Sequence, residues 1–276
     1  MGDPRLQAAT AVRAAAPWVE RLARLGYAAK GVVYALIGTL AAQAAIGSGG
    51  ATTDSRGVLA WIVTQPYGRI ALALVAAGLA GYAVWKVTEA ALDTEGEGDE
   101  PKGLAARAGQ VLSGVLHAGL AWTAVQILAG TGGSGGDSTQ DWTARLLSWP
   151  LGRWLVSAVG IGVLGYGLYE LYEAYRASFR EQLNLGRMSP TEERWATVAG
   201  RAGLAARGVV FGLIGVFLVQ AALRADAERA EGVAGALEAL ARQPYGRWLL
   251  GIVALGLVAY GIFMLVVARY RRISVR

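Results

Sequence analysis

Apolar and polar positions along the chain fall into long blocks. Six charge-free, largely apolar stretches begin at Gly31, Ile70, Ala108, Trp154, Gly208 and Trp248, and charge collects in the segments between them. Each stretch approaches the roughly 20 residues that a helix needs to cross a bilayer core, once a Lys or Arg at one end reaches back to the headgroups. The pattern therefore predicts six transmembrane helices. Between Asp54 and Gln65 lies a piece too short to cross, with Val58, Leu59, Ile62 and Val63 set among polar residues; it reads as an interfacial helix on the outer surface. A soluble bundle of six buried helices would have too little polar face to meet water.

The spans come in copies. Arg24, Gly26, Gly31 and Gln43 return as Arg107, Gly109, Gly114 and Gln126, and again as Arg201, Gly203, Gly208 and Gln220, at constant offsets of 83 and 177 residues. Pro66, Gly68, Arg69, Gly78 and Tyr82 likewise match Pro150, Gly152, Arg153, Gly162 and Tyr166, then Pro244, Gly246, Arg247, Gly256 and Tyr260. Self-similarity at fixed offsets means one structural unit per copy. Each unit holds two crossings, so all three point the same way. The expected organisation is an N-terminal cytoplasmic or interfacial segment at 1–20, membrane repeats at 21–92, 104–176 and 196–270, a disordered acidic linker at 93–103, a cytoplasmic connector at 177–195 and a basic tail at 271–276. The expected fold is all-α: a polytopic membrane protein whose six transmembrane helices form three parallel-oriented helical hairpins in a pseudo-threefold arrangement, the first span of each copy innermost. Pro66 and its equivalents suit the first helical position. Ser189-Pro190-Thr191-Glu192 reads as a helix start with a capping box.

Composition agrees with a bilayer environment: 54% of residues are apolar, 17% are charged, and the mean hydropathy is +0.39. A net charge of +6 would suggest nucleic acid in a soluble protein. Here the basic residues sit at span ends, so membrane topology explains them and no nucleic-acid partner is expected. Lys and Arg on the side of the two termini outnumber those on the other side by more than two to one, which places both termini in the cytoplasm. Residues 1–20 lack the apolar core of a secretory signal, so the first span is expected to act as its own insertion signal. The absence of cysteine excludes disulfides and thiolate-ligated metals, and a single histidine excludes bis-histidine haem ligation. The acids between Asp93 and Glu100 lack calcium-loop spacing, and the Gly-rich stretch at 130–136 lacks the Gly-Lys-Ser/Thr of a phosphate loop. No catalytic, cofactor-binding or metal site is expected.

Candidate chemistry concentrates where the copies differ. Lys30, Ser113 and Arg207 precede the equivalent glycines, and Tyr34, His117 and Phe211 follow about one turn later. Lys30 lies about 9 Å inside Arg24 at helical rise. Reaching back to the interface is its ordinary role; facing an internal cavity would make it part of a polar pathway. His117 is a candidate relay or ligand residue, although Tyr34 and Phe211 at the same place indicate that bulk is what the copies share. Gln43, Gln126 and Gln220 recur near the outer ends, as interhelical hydrogen-bonding groups or an outer vestibule. Gly31 with Gly38, Gly208 with Gly215, and Gly114 form small-residue stripes for close helix packing. Glu89 and Glu173 lie at the depth of Arg24 and Arg107 and are expected to form structural ion pairs with them. No activated nucleophile accompanies these acids, so an enzyme is not expected.

Three tandem two-helix repeats, the Gly-Arg helix starts, and the segments Lys30-Gly31-Val32-Val33-Tyr34 and Arg207-Gly208-Val209-Val210-Phe211 resemble the bacterial membrane family catalogued as domain of unknown function 1206. The resemblance runs from about Arg21 to Arg269 and implies a six-span inner-membrane protein, with no activity, catalytic residue or cofactor attached. Ser113-Gly114-Val115-Leu116-His117 departs most from its counterparts. Two functional readings stand at this point. One is a non-enzymatic scaffold or partner subunit, with the bilayer, anionic lipids at the cytoplasmic face, and a protein partner or second copy as its contacts. The other is a small-solute or ion channel or transporter with a path near Lys30, His117 and Arg207.

Overall fold

A computed structural model describes residues 4–94, 96–132 and 138–272, the side chains at 4–17, 19 and 138 excepted. Its elements are α1 (Pro4–Ile46), α2 (Ser55–Val63), α3 (Gly68–Leu92), α4 (Pro101–Leu128), α5 (Ser138–Leu147), α6 (Gly152–Arg176), α7 (Pro190–Arg224), α8 (Val233–Ala241) and α9 (Gly246–Tyr270), with short 3-10 turns at Ser178–Gln182, Leu185–Arg187 and Ala227–Arg229. Among the described residues six helices are long and apolar enough to cross a membrane: Glu20–Ile46 within α1, then α3, α4, α6, α7 and α9. The protein is an all-α polytopic membrane protein. We call the side where α4 and α7 begin the near side and the opposite one the far side. The short helices α2, α5 and α8 occupy equivalent places in the three copies. The helix that opens at Pro4 runs unbroken into the first span.

The Gly-Arg pair that opens each even span serves two purposes. A Cβ on Gly68 would fall 2.1 Å from the Ile62 carbonyl oxygen, one on Gly152 2.0 Å from that of Leu146, and one on Gly246 1.9 Å from that of Ala241. Only glycine lets the chain turn so closely on the preceding short helix. The helices begin at these glycines, so Pro66, Pro150 and Pro244 lie in the turns and not at the first helical position, and Tyr67 and Tyr245 adopt left-handed φ of 60° and 61°.

The arginines reach into the neighbouring copy. On the far side Arg69 donates to the Leu128 carbonyl at 2.9 Å, Arg153 to those of Ala222 and Leu223 at 3.1 and 2.8 Å, and Arg247 to that of Ala45 at 3.2 Å. On the near side Arg24 donates to Ala268 and Arg269, both at 2.7 Å, Arg107 to Ala90 at 2.8 Å, and Arg201 to Tyr175 at 3.3 Å. Every one of these acceptors is at the C-terminus of an antiparallel helix, where the last carbonyls have no partner within the helix and the dipole is negative. The pairs α9 with α1, α3 with α4, and α6 with α7 are thus clamped at both ends. The pairing expected of Arg24 with Glu89 and of Arg107 with Glu173 does not form. Arg24 takes Glu20 at 2.7 Å and Arg107 takes Asp99 at 2.9 Å beside their carbonyl bonds. Unsatisfied backbone carbonyls at the same depth are the better-placed acceptors.

The small-residue stripes lie inside the same clamped pairs. A Cβ on Gly31 would approach the Gly261 carbonyl oxygen to 2.8 Å, on Gly38 that of Ala254 to 2.6 Å, on Gly208 that of Gly167 to 2.8 Å, on Gly215 the Leu164 nitrogen to 2.5 Å, and on Gly114 the Val87 side chain to 3.1 Å.

Packing within the copies is unequal. In the first, a Cβ on Gly26 would strike the Tyr82 backbone at 2.7 Å and one on Gly78 the Ala29 methyl at 2.5 Å; in the third, Gly203 meets Tyr260 at 2.5 Å and Gly256 meets Ala206 at 2.4 Å. In the second, the equivalent Gly109 and Gly162 face open space. Helices α4 and α6 scarcely touch, and the helices run in the order α4, α3, α1, α9, α7, α6, a ring left open within the second copy. The sequence reason lies at Leu112, which stands where Ala29 and Ala206 fit against glycine; its isobutyl group has no room in so close a contact. The expectation that the first span of every copy is innermost fails for α4, whose Leu112, Val115 and Leu116 are each 60% exposed.

Both ends are closed by connections. On the far side Val58, Leu59 and Ile62 of α2 and Ala236 and Leu237 of α8 join Ala41, Leu72, Val75 and Ala221 of the spans in one apolar core. On the near side the 177–188 segment crosses beneath the bundle: Phe179 packs edge-on against Phe263, the Asn184 N–H donates to the Tyr270 carbonyl at 2.8 Å, and the Arg272 N–H donates to that of Gln182 at 3.0 Å. The Ser189 capping box then restarts the chain as α7. The acidic connection, expected to be disordered, is folded at its start. The N–H groups of Gly98 and Glu97 donate to Asp93 and hold its carboxyl below the usual range. Those bonds form at neutral pH and weaken as pH falls through the depressed pKa.

Unequal packing gives an unequal response to one added methyl. Gly78→Ala and Gly256→Ala each overpack a filled contact and are expected to cost about 1–3 kcal/mol. Gly162→Ala meets only open space and gains helix propensity, for an expected change between zero and about 1 kcal/mol of stabilisation. Thermal unfolding of the three variants in one detergent checks the ranking; equal losses at all three sites would contradict it.

Candidate functional site

The near half of the bundle encloses a cavity of about 180 Å³. Tyr27 and Lys30 come from α1, Tyr82 from α3, Tyr166, Tyr169 and Glu173 from α6, Arg207 from α7 and Tyr260 from α9, while Phe179 and Leu183 of the connector close its floor.

Lys30 is 8% exposed. Its Nζ donates to the Tyr82 hydroxyl at 3.2 Å and lies 5.0 and 5.8 Å from the Tyr82 and Tyr260 ring centroids. Among the described residues it forms no ion pair. Its ordinary sequence role, reaching back to the interface, does not hold: the ammonium is turned into the cavity, where ring faces and one hydroxyl replace water.

Arg207 occupies the equivalent position in the third copy and is surrounded far more fully. It donates to the Tyr260 hydroxyl at 2.5 Å and to the Tyr166 hydroxyl at 3.2 Å, pairs with Glu170 at 3.1 Å, and lies over the rings of Tyr260, Phe211 and Tyr34 at 4.3, 5.1 and 5.3 Å. Tyr27 Oη, Glu170 Oε2 and Arg207 Nε are buried without a hydrogen-bond partner. Ser113, the third member of the set, is half-buried, and its carbonyl oxygen lies 2.7 Å from His117 Nδ1.

The position one turn on has a single use in all three copies. Tyr34 packs on Tyr260 with centroids 4.8 Å apart, His117 on Tyr82 at 4.4 Å and Phe211 on Tyr166 at 5.3 Å. Each is a ring set against the repeated tyrosine of the adjoining even helix, which is why bulk is kept and chemistry is not. None of the three lines the cavity. Gln43 and Gln220 are exposed and Gln126 is half-buried; they lie toward the far side, away from it.

Sequence reasoning missed Glu170, Tyr27 and the role of Arg271. Glu170 follows Tyr166 by four residues, at the position held by Lys86 and Met264 in the other copies, so an unmatched charge one turn beyond a repeated tyrosine was the available signal. Arg271, read as part of a lipid-facing tail, is buried; it pairs with Glu89 at 3.0 Å beside Lys86 and covers the Tyr27 ring at 5.0 Å. Glu173 accepts from the Ser178 hydroxyl at 2.6 Å. Among the described residues the region holds four cations, Lys30, Lys86, Arg207 and Arg271, against three carboxylates; Glu89 takes Lys86 and Arg271, Glu170 takes Arg207, and Lys30 and Glu173 form no ion pair.

A family model described as Domain of Unknown Function (DUF1206) matches residues 25–93, 108–177 and 202–271, one match for each two-span copy. The chain belongs to this family. Each DUF1206 repeat runs from the near-side arginine of one span to the near-side end of the next. The chain is also similar to a protein of Bacillus subtilis (strain 168) titled "Uncharacterized protein YxxB", 38% identical over 258 residues that cover 94% of this chain and 93% of that one. No solved structure matches the chain.

The buried pair between the second and third DUF1206 repeats makes a direct prediction. Glu170→Ala leaves the Arg207 charge buried without its carboxylate, an expected loss of about 3–5 kcal/mol. The double variant Glu170→Ala/Arg207→Met, which removes both charges, is expected to recover much of it. Thermal midpoints in detergent check the order; a double variant no better than the single one would contradict it.

Proposed function

We propose that this DUF1206 protein is a non-catalytic binding protein of the bacterial inner membrane, with both termini in the cytoplasm, and that its near-side cavity holds a small anionic group against Lys30. The carrying observation is a buried ammonium that faces a cavity and, among the described residues, forms no ion pair. A desolvated charge of this kind costs several kcal/mol, and a bound anion offsets that cost. Tyr27 and Arg207 line the same cavity. The excess of Lys and Arg at the near side supports the orientation.

Two features weigh against the readings first drawn from the sequence. The small-residue stripes are used between repeats of the same chain, so they lend a scaffold no outward packing face. The far half of the bundle is packed with apolar side chains, which favours a cavity open to one side over a path through the bundle.

Purified protein in a neutral detergent, titrated with inorganic phosphate, acetate or a short-chain phosphatidylglycerol, tests the reading. At least one of these anions is expected to raise the thermal midpoint by a few degrees, since saturation to about 100 times Kd contributes about 2.7 kcal/mol. Lys30→Met is expected to abolish that response while keeping or raising the midpoint without anion. A response that survives Lys30→Met would overturn the assignment.

A further inference from the structure

We infer that the anion is the headgroup of an anionic membrane lipid, admitted sideways through the slot between α4 and α6; this rests on the cavity reading proposed above and names its ligand. Three observations converge on that slot.

The first is topological. Five of the six helix-to-helix contacts around the ring are made, and the missing one, α4 with α6, opens the bundle wall where it faces the bilayer. Gly109 and Gly162, whose counterparts are filled to contact in the other two copies, line the slot and leave it unobstructed.

The second is continuity. Tyr166 and Tyr169 belong to the cavity wall and are 44% and 55% exposed, whereas Tyr82 and Tyr260, the counterparts of Tyr166, are 3% and 2% exposed. These two tyrosines therefore run from the cavity wall to the outer surface of the bundle on the α6 side of the slot. The connector closes the near side and the apolar core the far side, so the slot is the side on which a membrane-dissolved molecule can enter.

The third is chemical complementarity. The described cavity wall carries Lys30, Arg207 and Arg271 against one carboxylate, Glu173, with tyrosine hydroxyls around them; outside stand exposed apolar side chains such as Leu112 and Leu116. A ligand that satisfies both needs a compact anionic head joined to an apolar body. A free inorganic anion satisfies only the inner half, and a zwitterionic head carries its own cation to Lys30. A volume of about 180 Å³ corresponds to about six water molecules, which suits a phosphate-sized group and not a large polar headgroup.

The test is native mass spectrometry of the full chain released from neutral detergent after incubation with phosphatidylglycerol or phosphatidylcholine, with phosphate-dependent thermal stabilisation measured in parallel. Wild-type protein is expected to retain one phosphatidylglycerol per chain in preference to phosphatidylcholine. Lys30→Met should lower that occupancy about tenfold or more, the loss of one charge-assisted bond. Gly162→Trp starts a large side chain from a position where an added Cβ meets nothing within 4 Å, and should lower lipid retention while leaving any phosphate response in place; Gly109→Trp, from the opposite wall, does the same should the first variant fold poorly. Stabilisation by phosphate without preferential retention of phosphatidylglycerol would overturn the lipid assignment and leave the anion site standing. Lipid retention unaffected by either tryptophan would overturn the slot as its route. Loss of both the phosphate and the lipid responses in wild-type protein would remove the anion site as well.

Discussion

The architecture depends on one interaction made six times: an arginine at the start of a span donating to carbonyls at the end of an antiparallel span in the next copy. A helix in a bilayer leaves its last carbonyls without partners and without water to take their place. Supplying the donor from a neighbouring copy satisfies those groups and also fixes which helices are neighbours. Glycine then lets the clamped helices approach until backbone meets backbone, as at Gly38 against Ala254 and Gly215 against Leu164. The stronger joints of the protein are therefore between copies, and the copies themselves are free to differ inside.

That freedom accounts for the second copy. Its two clamps, Arg107 on Ala90 and Arg153 on Ala222 and Leu223, hold α4 to α3 and α6 to α7. Nothing comparable holds α4 to α6, and Leu112 takes the place of a small residue where the other hairpins close. With its outer contacts intact, the hairpin can stand open without loss of the fold. The opening leaves Tyr166 and Tyr169, two residues of the cavity wall, half exposed.

Much of the fold was legible because the repeat is its own control. Spans, orientation of the copies, short outer helices and the Ser189 helix start follow from period and punctuation. The arginines were visible as matched residues, but their partners are backbone carbonyls, which carry no sequence signal; a search for acids of equal depth led to Glu89 and Glu173 instead. The site was half legible. Lys30 and Arg207 stood out because the copies differ there, yet which way the ammonium turns depends on Tyr82 and Tyr260 from other helices. Glu170 and Arg271 were hidden because a lone charge near a span end reads as an interfacial residue until the connector is seen to bury that end. His117 stood out as a rare residue in an apolar span, and its ring lies on Tyr82 as those of Tyr34 and Phe211 lie on Tyr260 and Tyr166.

The open second hairpin links fold to proposed function, and spin-label distances test it directly because the chain has no cysteine of its own. Label pairs at the equivalent exposed positions Val32 with Val84, Val115 with Leu168, and Val209 with Ile262 report the width of the three hairpins in one lipid environment. The expected result is a clearly longer distance for Val115 with Leu168 than for the other two pairs, which should agree with each other. Three equal distances would mean a closed ring and would contradict the lateral opening.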